Sequence, residues 1–210
     1  MLALYVSAFV TLFVVIDPPG CAPIFAGMTT GASNRQRLRM AIRASTIASG
    51  ILALFAVLGE DLLGALHIEL NSFRIAGGIM LFLIALEMVF EKRTQRREKR
   101  AEEILAHPHA EGEVEDVSVF PLAIPMIAGP GSIATVMMLM SRAEGLPASL
   151  TILAALATVM LLCFLALAAA GPIMRMLGAK MEAVITRLLG VLLAALAAQY
   201  VIDGVRELFG

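Results

Sequence analysis

The chain has 210 residues, 60% of them hydrophobic, and 16 Lys and Arg against 17 Asp and Glu give a net charge of −1; its mean hydropathy is +0.89. Apolar runs of membrane-spanning length recur throughout, which excludes a soluble domain, and the charge falls in connections and helix ends, which gives no surface for nucleic acid. Cys21 and Cys163 lie in separate apolar segments and read as buried, inert thiols rather than a disulfide or metal pair.

Six spans are predicted, at 2–28, 41–63, 73–90, 119–140, 148–170 and 183–202, each long enough to cross about 30 Å of hydrocarbon as helix. The first starts without a basic stretch and shows no lipoprotein-like processing site before Cys21, so it is expected to remain in the mature protein. It is interrupted by Asp17-Pro18-Pro19-Gly20. Asp17 is suited to N-cap a new half-helix, and Pro18 suits a first helical position where a missing N–H costs nothing. An acid at mid-bilayer costs about 2.5–3.5 kcal/mol on insertion scales, so a second role is expected beside the cap: partner to a substrate ammonium, a sodium ion or a transported proton.

The second span is polar at Glu60-Asp61, and the third opens with Arg74-Ile75-Ala76-Gly77. A charged connection, about 91–117, carries the basic run from Lys92 to Arg100, read as a topology determinant, and His107 and His109, read as solvated residues and not as metal ligands. The fourth span holds Pro121 and Pro125 and is then broken at Gly129-Pro130-Gly131-Ser132. With Ala128 in the place of Asp17, the half-helix from Pro130 should present the N–H groups of Gly131, Ser132 and Ile133 without a cap, and such an end attracts an anion. A packing-driven kink is the plain alternative. The sixth span opens with Arg187-Leu188-Leu189-Gly190.

Sliding the chain by 111 puts Pro130 on Pro19, and sliding by 113 puts Arg187 on Arg74. Each half then reads as a broken span, a plain span and a span opened by Arg-x-x-Gly. Three spans per half, an odd number, force the halves into opposite orientations, the inverted-repeat plan of many secondary transporters. Counting Lys and Arg in the connections gives 13 on one side and 3 on the other, which sets the N- and C-termini outside the cytoplasm. Arg74 and Arg187 begin helices, where the helix dipole gives no reason for a cation. Interfacial snorkelling accounts for them, or they gate the site by ion pairs, Arg74 with Glu60 or Asp61 and Arg187 with an acid inside. Gln199, Tyr200, Asp203 and Glu87 read as interfacial. Gly27/Gly31, Ala166/Ala170 and Ala194/Ala198 fit close helix packing within the fold or between copies in a homo-oligomer.

Two matched breaks at membrane depth point to a polar site between the halves. A carboxylate at Asp17-Pro18-Pro19-Gly20 facing a bare helix N-terminus at Gly129-Pro130-Gly131-Ser132 suits a zwitterion, so a small neutral amino acid is the expected substrate. An intramembrane enzyme is not expected: no His-Glu-x-x-His, no Gly-x-Ser-x-Gly and no second mid-membrane aspartate supply a catalytic set, and no cofactor or metal is implied. A non-transporting membrane scaffold is the remaining alternative.

Asp17-Pro18-Pro19-Gly20 with Pro23 and Phe25, the run Phe73-Arg74-Ile75-Ala76-Gly77-Gly78, Pro121-Leu122-Ala123-Ile124-Pro125 and Gly129-Pro130-Gly131 together resemble the MarC family over nearly the whole chain. The resemblance implies a six-span bacterial inner-membrane protein, distantly similar to LysE-type exporters, with a neutral amino-acid transporter label. The expected fold is all-α in the membrane, a single domain over 1–210: six helices in two inverted three-helix repeats, about 1–90 and 118–210, with helices 1 and 4 broken. Surrounding membrane lipid is the other expected partner.

Overall fold

The computed structural model describes residues 1–90 and 116–209, with the side chains of 173–183 and 209 left aside. The connection with the basic run, His107 and His109 lies outside the described residues. All eight described elements are helical: α1 Leu2–Ile16, α2 Pro18–Met28, α3 Asn34–Ala65, α4 Leu70–Val89, α5 Ser118–Ile127, α6 Pro130–Met140, α7 Leu146–Ala168 and α8 Ala170–Phe209.

Five stretches are long and apolar enough to cross a membrane, and the pair α5 with α6, bent by 52°, makes a sixth. α1 and α2 together form one span of 27 residues. The predicted spans all find a counterpart, but two helices run well past them. α3 begins seven residues before position 41 because Ser33 and Gln36 form a capping box: the Gln36 N–H donates to Ser33 Oγ at 3.3 Å, and the Ser33 N–H donates to Gln36 Oε1 at 2.9 Å. α8 runs for 40 residues, longer than the bilayer needs, and its apolar stretch is Val184–Leu208. Many large apolar side chains face outward, Leu83, Leu161 and Leu188 each more than half exposed, as expected where the solvent is hydrocarbon.

α5 is a helix of wide turns. Phe120 and Ile124 are extended, each before a cis-proline, Pro121 and Pro125. The backbone closes by i to i−5 bonds, Leu122 N–H to Val117 O at 3.3 Å and Ala128 N–H to Ala123 O at 2.9 Å. Proline removes donors and clashes with the preceding turn, so an ordinary helix cannot form here.

Helix boundaries replace the two sliding offsets, 111 and 113, with one. α2 and α6 are both 11 residues long, and Pro18 and Pro130, their first residues, lie 112 apart. Asn34 and Leu146, which open α3 and α7, lie 112 apart as well. Contacts between α4 and α8 exchange under the same offset. A methyl built on Gly78 would come within 2.7 Å of Val201 Cγ2 and 3.0 Å of the Ala197 carbonyl; one built on Gly190 would come within 3.1 Å of both Val89 Cγ2 and the Ala85 carbonyl. Gly78, Ala85 and Val89 advanced by 112 are Gly190, Ala197 and Val201. The two helices therefore run antiparallel with glycine on each side of the seam, where small residues let backbones approach. Gly204 against Asn71 and Ile75 and Gly59 against Met137 are close-packed as well, whereas Gly27 and Gly31 have open space around them.

Candidate functional site at the two helix breaks

At the first break Asp17 ends α1 and begins α2. It takes the left-handed conformation, φ 59° and ψ 63°, which aspartate tolerates better than most side chains. Its N–H donates to Phe13 O at 2.9 Å, its carbonyl accepts the Cys21 N–H at 3.1 Å and its carboxylate Oδ1 accepts the Gly20 N–H at 3.1 Å. Pro18 stands at the first helical position, so the cap anticipated from sequence is present. Asp17 is 2% exposed. Gly20 is glycine for a visible reason: an added Cβ would lie 2.2 Å from Asp17 Oδ2.

At the second break Gly129, not Ala128, holds the position equivalent to Asp17. It is the N-cap of α6, extended at φ −77° and ψ 171°, with Pro130 following. No side chain caps this end among the described residues. The Ile133 N–H, expected to be bare, donates to Gly129 O at 3.0 Å, because an N-cap carbonyl accepts the first intrahelical bond. Proline has no N–H, so Gly131 and Ser132 are the two donors of the first turn that the helix itself leaves unpaired. Ser132 is 3% exposed. Thr135 Oγ1 donates back to Gly131 O at 2.7 Å.

The breaks are neighbours. A methyl on Gly131 would sit 3.9 Å from Val15 Cγ1, two residues before Asp17, and 2.3 Å from Ile84 Cδ1 of α4. A side chain at 131 would have to displace the end of the Ile84 side chain. One break carries a buried carboxylate at its helix start, and the other an uncapped, dipole-positive helix start.

Arg74 and Arg187 have different surroundings. Arg74 is 7% exposed and pairs with Glu207 near the end of α8, with Asn71 Oδ1 accepting at 3.3 Å. Its partner is therefore not Glu60 or Asp61: α4 packs on α8, which carries Glu207 past it. Arg187 is exposed on α8, and the offset of 112 puts Thr186, not Arg187, on Arg74. Sequence reasoning missed a second network at the same end, in which Arg142 Nη2 donates to Asp203 Oδ2 at 3.1 Å and the guanidinium lies 4.7 Å from the centre of the Tyr200 ring. Gln199 Nε2 donates to the other Asp203 oxygen at 2.7 Å. The i, i+4 spacing of Asp203 and Glu207, with Gln199 one turn earlier, was the available signal.

At the opposite end Asp116, paired with Arg43, also accepts the Ser118 N–H at 3.1 Å. Partial burial pushes its carboxyl up, but the hydrogen bonds from Ser118 and the charge of Arg43 outweigh this and hold it below its usual range.

The profile described as MarC family integral membrane protein matches residues 2–209. A UPF0056 membrane protein of Archaeoglobus fulgidus is 34% identical, with 98% of this chain and 94% of the relative covered. The UPF0056 membrane protein YvbG of Bacillus subtilis is 35% identical, covering 100% and 97%. No solved structure matches.

Proposed function

The chain belongs to the MarC family of integral membrane proteins, and from its paired breaks we propose that it is a secondary transporter of small neutral amino acids or similar small solutes, built as two inverted repeats. The observation that carries this is the single offset of 112, which superposes N-cap, first-turn proline and helix length at both breaks and exchanges the α4–α8 glycine contacts. Inverted repeats of this kind put substrate and coupling ion at the breaks of discontinuous helices near the bilayer midplane.

In this reading the substrate ammonium faces Asp17 at the start Pro18-Pro19-Gly20, and the substrate carboxylate faces the N–H groups of Gly131 and Ser132 beyond Gly129-Pro130. Asp17 keeps its cap with one oxygen and offers charge to an ammonium, a proton or a sodium ion. Arg74 with Glu207, and Arg142 with Asp203, close the end where the basic residues are few, taken as the periplasmic side of the inner membrane, which also holds both termini.

The test is uptake and counterflow of labelled alanine, glycine and serine in proteoliposomes, with and without pH or sodium gradients, for wild type and Asp17→Asn. Asparagine keeps the cap and the left-handed backbone while removing the charge. Saturable transport lost in a well-folded Asp17→Asn protein supports the site. Absence of transport for all three solutes by folded wild type removes the amino-acid reading and leaves a scaffold, or export of another solute.

A further inference from the structure

A groove between α3 and α7, with none of the break residues in its lining, has the chemistry of an amphiphile's binding site. Its apolar part holds about 620 Å³ and is lined by Ser45, Thr46 and Ser49 on α3 and by Leu156, Met160 and Phe164 on α7, among others. It is continuous with a second hollow lined by Arg35, Arg39 and Arg43, since Ile42 and Thr46 belong to both. On α3 the positions 35, 39, 42, 46, 49 and 53 follow the 4-3-4-3 spacing of one helix face. Charge at one end of that stripe thus passes into hydroxyls and then into hydrocarbon. From Arg39 to Ala53 the helix rises about 21 Å, against about 15 Å for half the hydrocarbon core.

Two observations separate this groove from an ordinary lipid-facing surface. Ser45 is 7% exposed and lines the groove, yet its Oγ has no hydrogen-bond partner among the described residues. Elsewhere Thr11, Thr29, Thr135, Thr151 and Thr158 each return the hydroxyl proton to the carbonyl four residues back. A buried hydroxyl left without an acceptor carries a desolvation cost that a ligand acceptor removes. The offset of 112 also matches Ser45 with Ala157 and Ser49 with Leu161, so the same fold is made at the equivalent positions without hydroxyls. Arg43 is occupied by Asp116, whereas Arg35 and Arg39 are exposed and make no ion pair among the described residues.

We propose that the α3–α7 groove binds one anionic phospholipid, its phosphate on Arg35 and Arg39, an ester carbonyl accepting from Ser45 Oγ and an acyl chain in the apolar slot. Arginine supplies planar donors suited to a phosphate, and a basic pocket beside a transmembrane slot is the arrangement that selects anionic over zwitterionic lipid. Ser45 lies about 9 Å along the helix from Arg39, the side on which the ester region lies below the phosphate. The proposal stands apart from the transport reading, since none of its residues belongs to the breaks.

The experiment is native mass spectrometry of the purified full chain from nanodiscs of phosphatidylcholine with phosphatidylglycerol, alongside melting on titration with each lipid. Wild type should retain one phosphatidylglycerol at least tenfold more tightly than phosphatidylcholine, with a saturable rise in melting temperature. Arg35→Gln with Arg39→Gln should abolish the preference, Ser45→Ala should weaken retention without harming folding, and Ala157→Phe should block the slot. Leu83→Phe, on a different lipid-facing surface, should change nothing. Equal retention of the two lipids, or retention indifferent to both the arginine and the Ser45→Ala variants, overturns the proposal. So does saturation by glycerol phosphate in place of lipid, which would mean an ion site alone, or a change from dimer to monomer in Ala157→Phe with lipid retention intact, which would make the groove a subunit interface.

Discussion

At the residue scale, Asp17 combines two requirements that substitutions can separate. Its backbone is left-handed at φ 59° and its side chain caps Gly20. Asp17→Asn keeps both and should melt close to wild type. Asp17→Gly keeps the backbone and drops the side-chain acceptor, a loss of a few tenths of a kcal/mol at an N-cap, whereas Asp17→Ala loses both and should cost about 1–3 kcal/mol. The order Asn, Gly, Ala in thermal melting in detergent checks this; alanine equal to asparagine would show that the cap does not matter. Gly20→Ala gives a sharper case. Alanine is the better helix former by up to about 1 kcal/mol, yet its Cβ would fall 2.2 Å from Asp17 Oδ2. The variant should therefore be less stable than wild type, and a stabilised one would mean that the carboxylate swings away at no cost. These local features were legible in sequence because capping depends on residues within three positions. The equivalence of Gly129 with Asp17 was not, since pairing by identity favours Pro130 on Pro19 while the helix starts put it on Pro18.

At the scale of elements, the α4–α8 seam rests on glycines facing backbone. At Gly78 the obstacle is the Ala197 carbonyl, and at Gly190 the Ala85 carbonyl, neither of which can turn aside like a side-chain end. Gly78→Ala and Gly190→Ala should each cost about 1–3 kcal/mol by overpacking and by similar amounts, because the contacts exchange. Gly50→Ala, with nothing within 4 Å, should be neutral or gain up to about 1 kcal/mol. Melting of the three variants decides it, and a tolerant Gly78→Ala would mean that the helices part easily. Within the chain the close packing expected at Gly27 and Gly31 is absent, since spacing says which residues share a face but not which face meets a neighbour. The ion pair joining α3 to the start of α5 gives a pH signature. Asp116 has its carboxyl lowered in the fold from an ordinary 3.8, so its contribution is full above that value and disappears as pH falls through the folded pKa. Both side chains are about half exposed, which limits the effect to a fraction of a kcal/mol. Wild type should exceed Asp116→Asn in melting temperature at pH 7, with the difference shrinking below pH 4; a constant difference would leave the carboxylate's charge irrelevant.

For the whole molecule, the sequence carried the number of spans and both breaks, because hydropathy and proline act locally. The long-range pairing of Arg74 with Glu207 and of Arg142 with Asp203 was hidden, because it depends on how α8 lies against α4 and against the turn that follows α6. The proposed inverted arrangement makes the most demanding prediction, because equivalent residues must end on opposite sides of the membrane. Asn34 and Leu146 are the first residues of α3 and α7, both are exposed, and 112 residues separate them. Cys21 and Cys163 are buried and can be replaced by alanine to leave a background free of reactive thiols. In that background Leu146→Cys should react with an impermeant maleimide added to intact cells, while Asn34→Cys should react only after the membrane is opened, with labelling ratios differing by at least tenfold. Labelling of both from one side would break the inverted repeat, since two copies related by an axis in the membrane plane cannot present the same position to the same compartment.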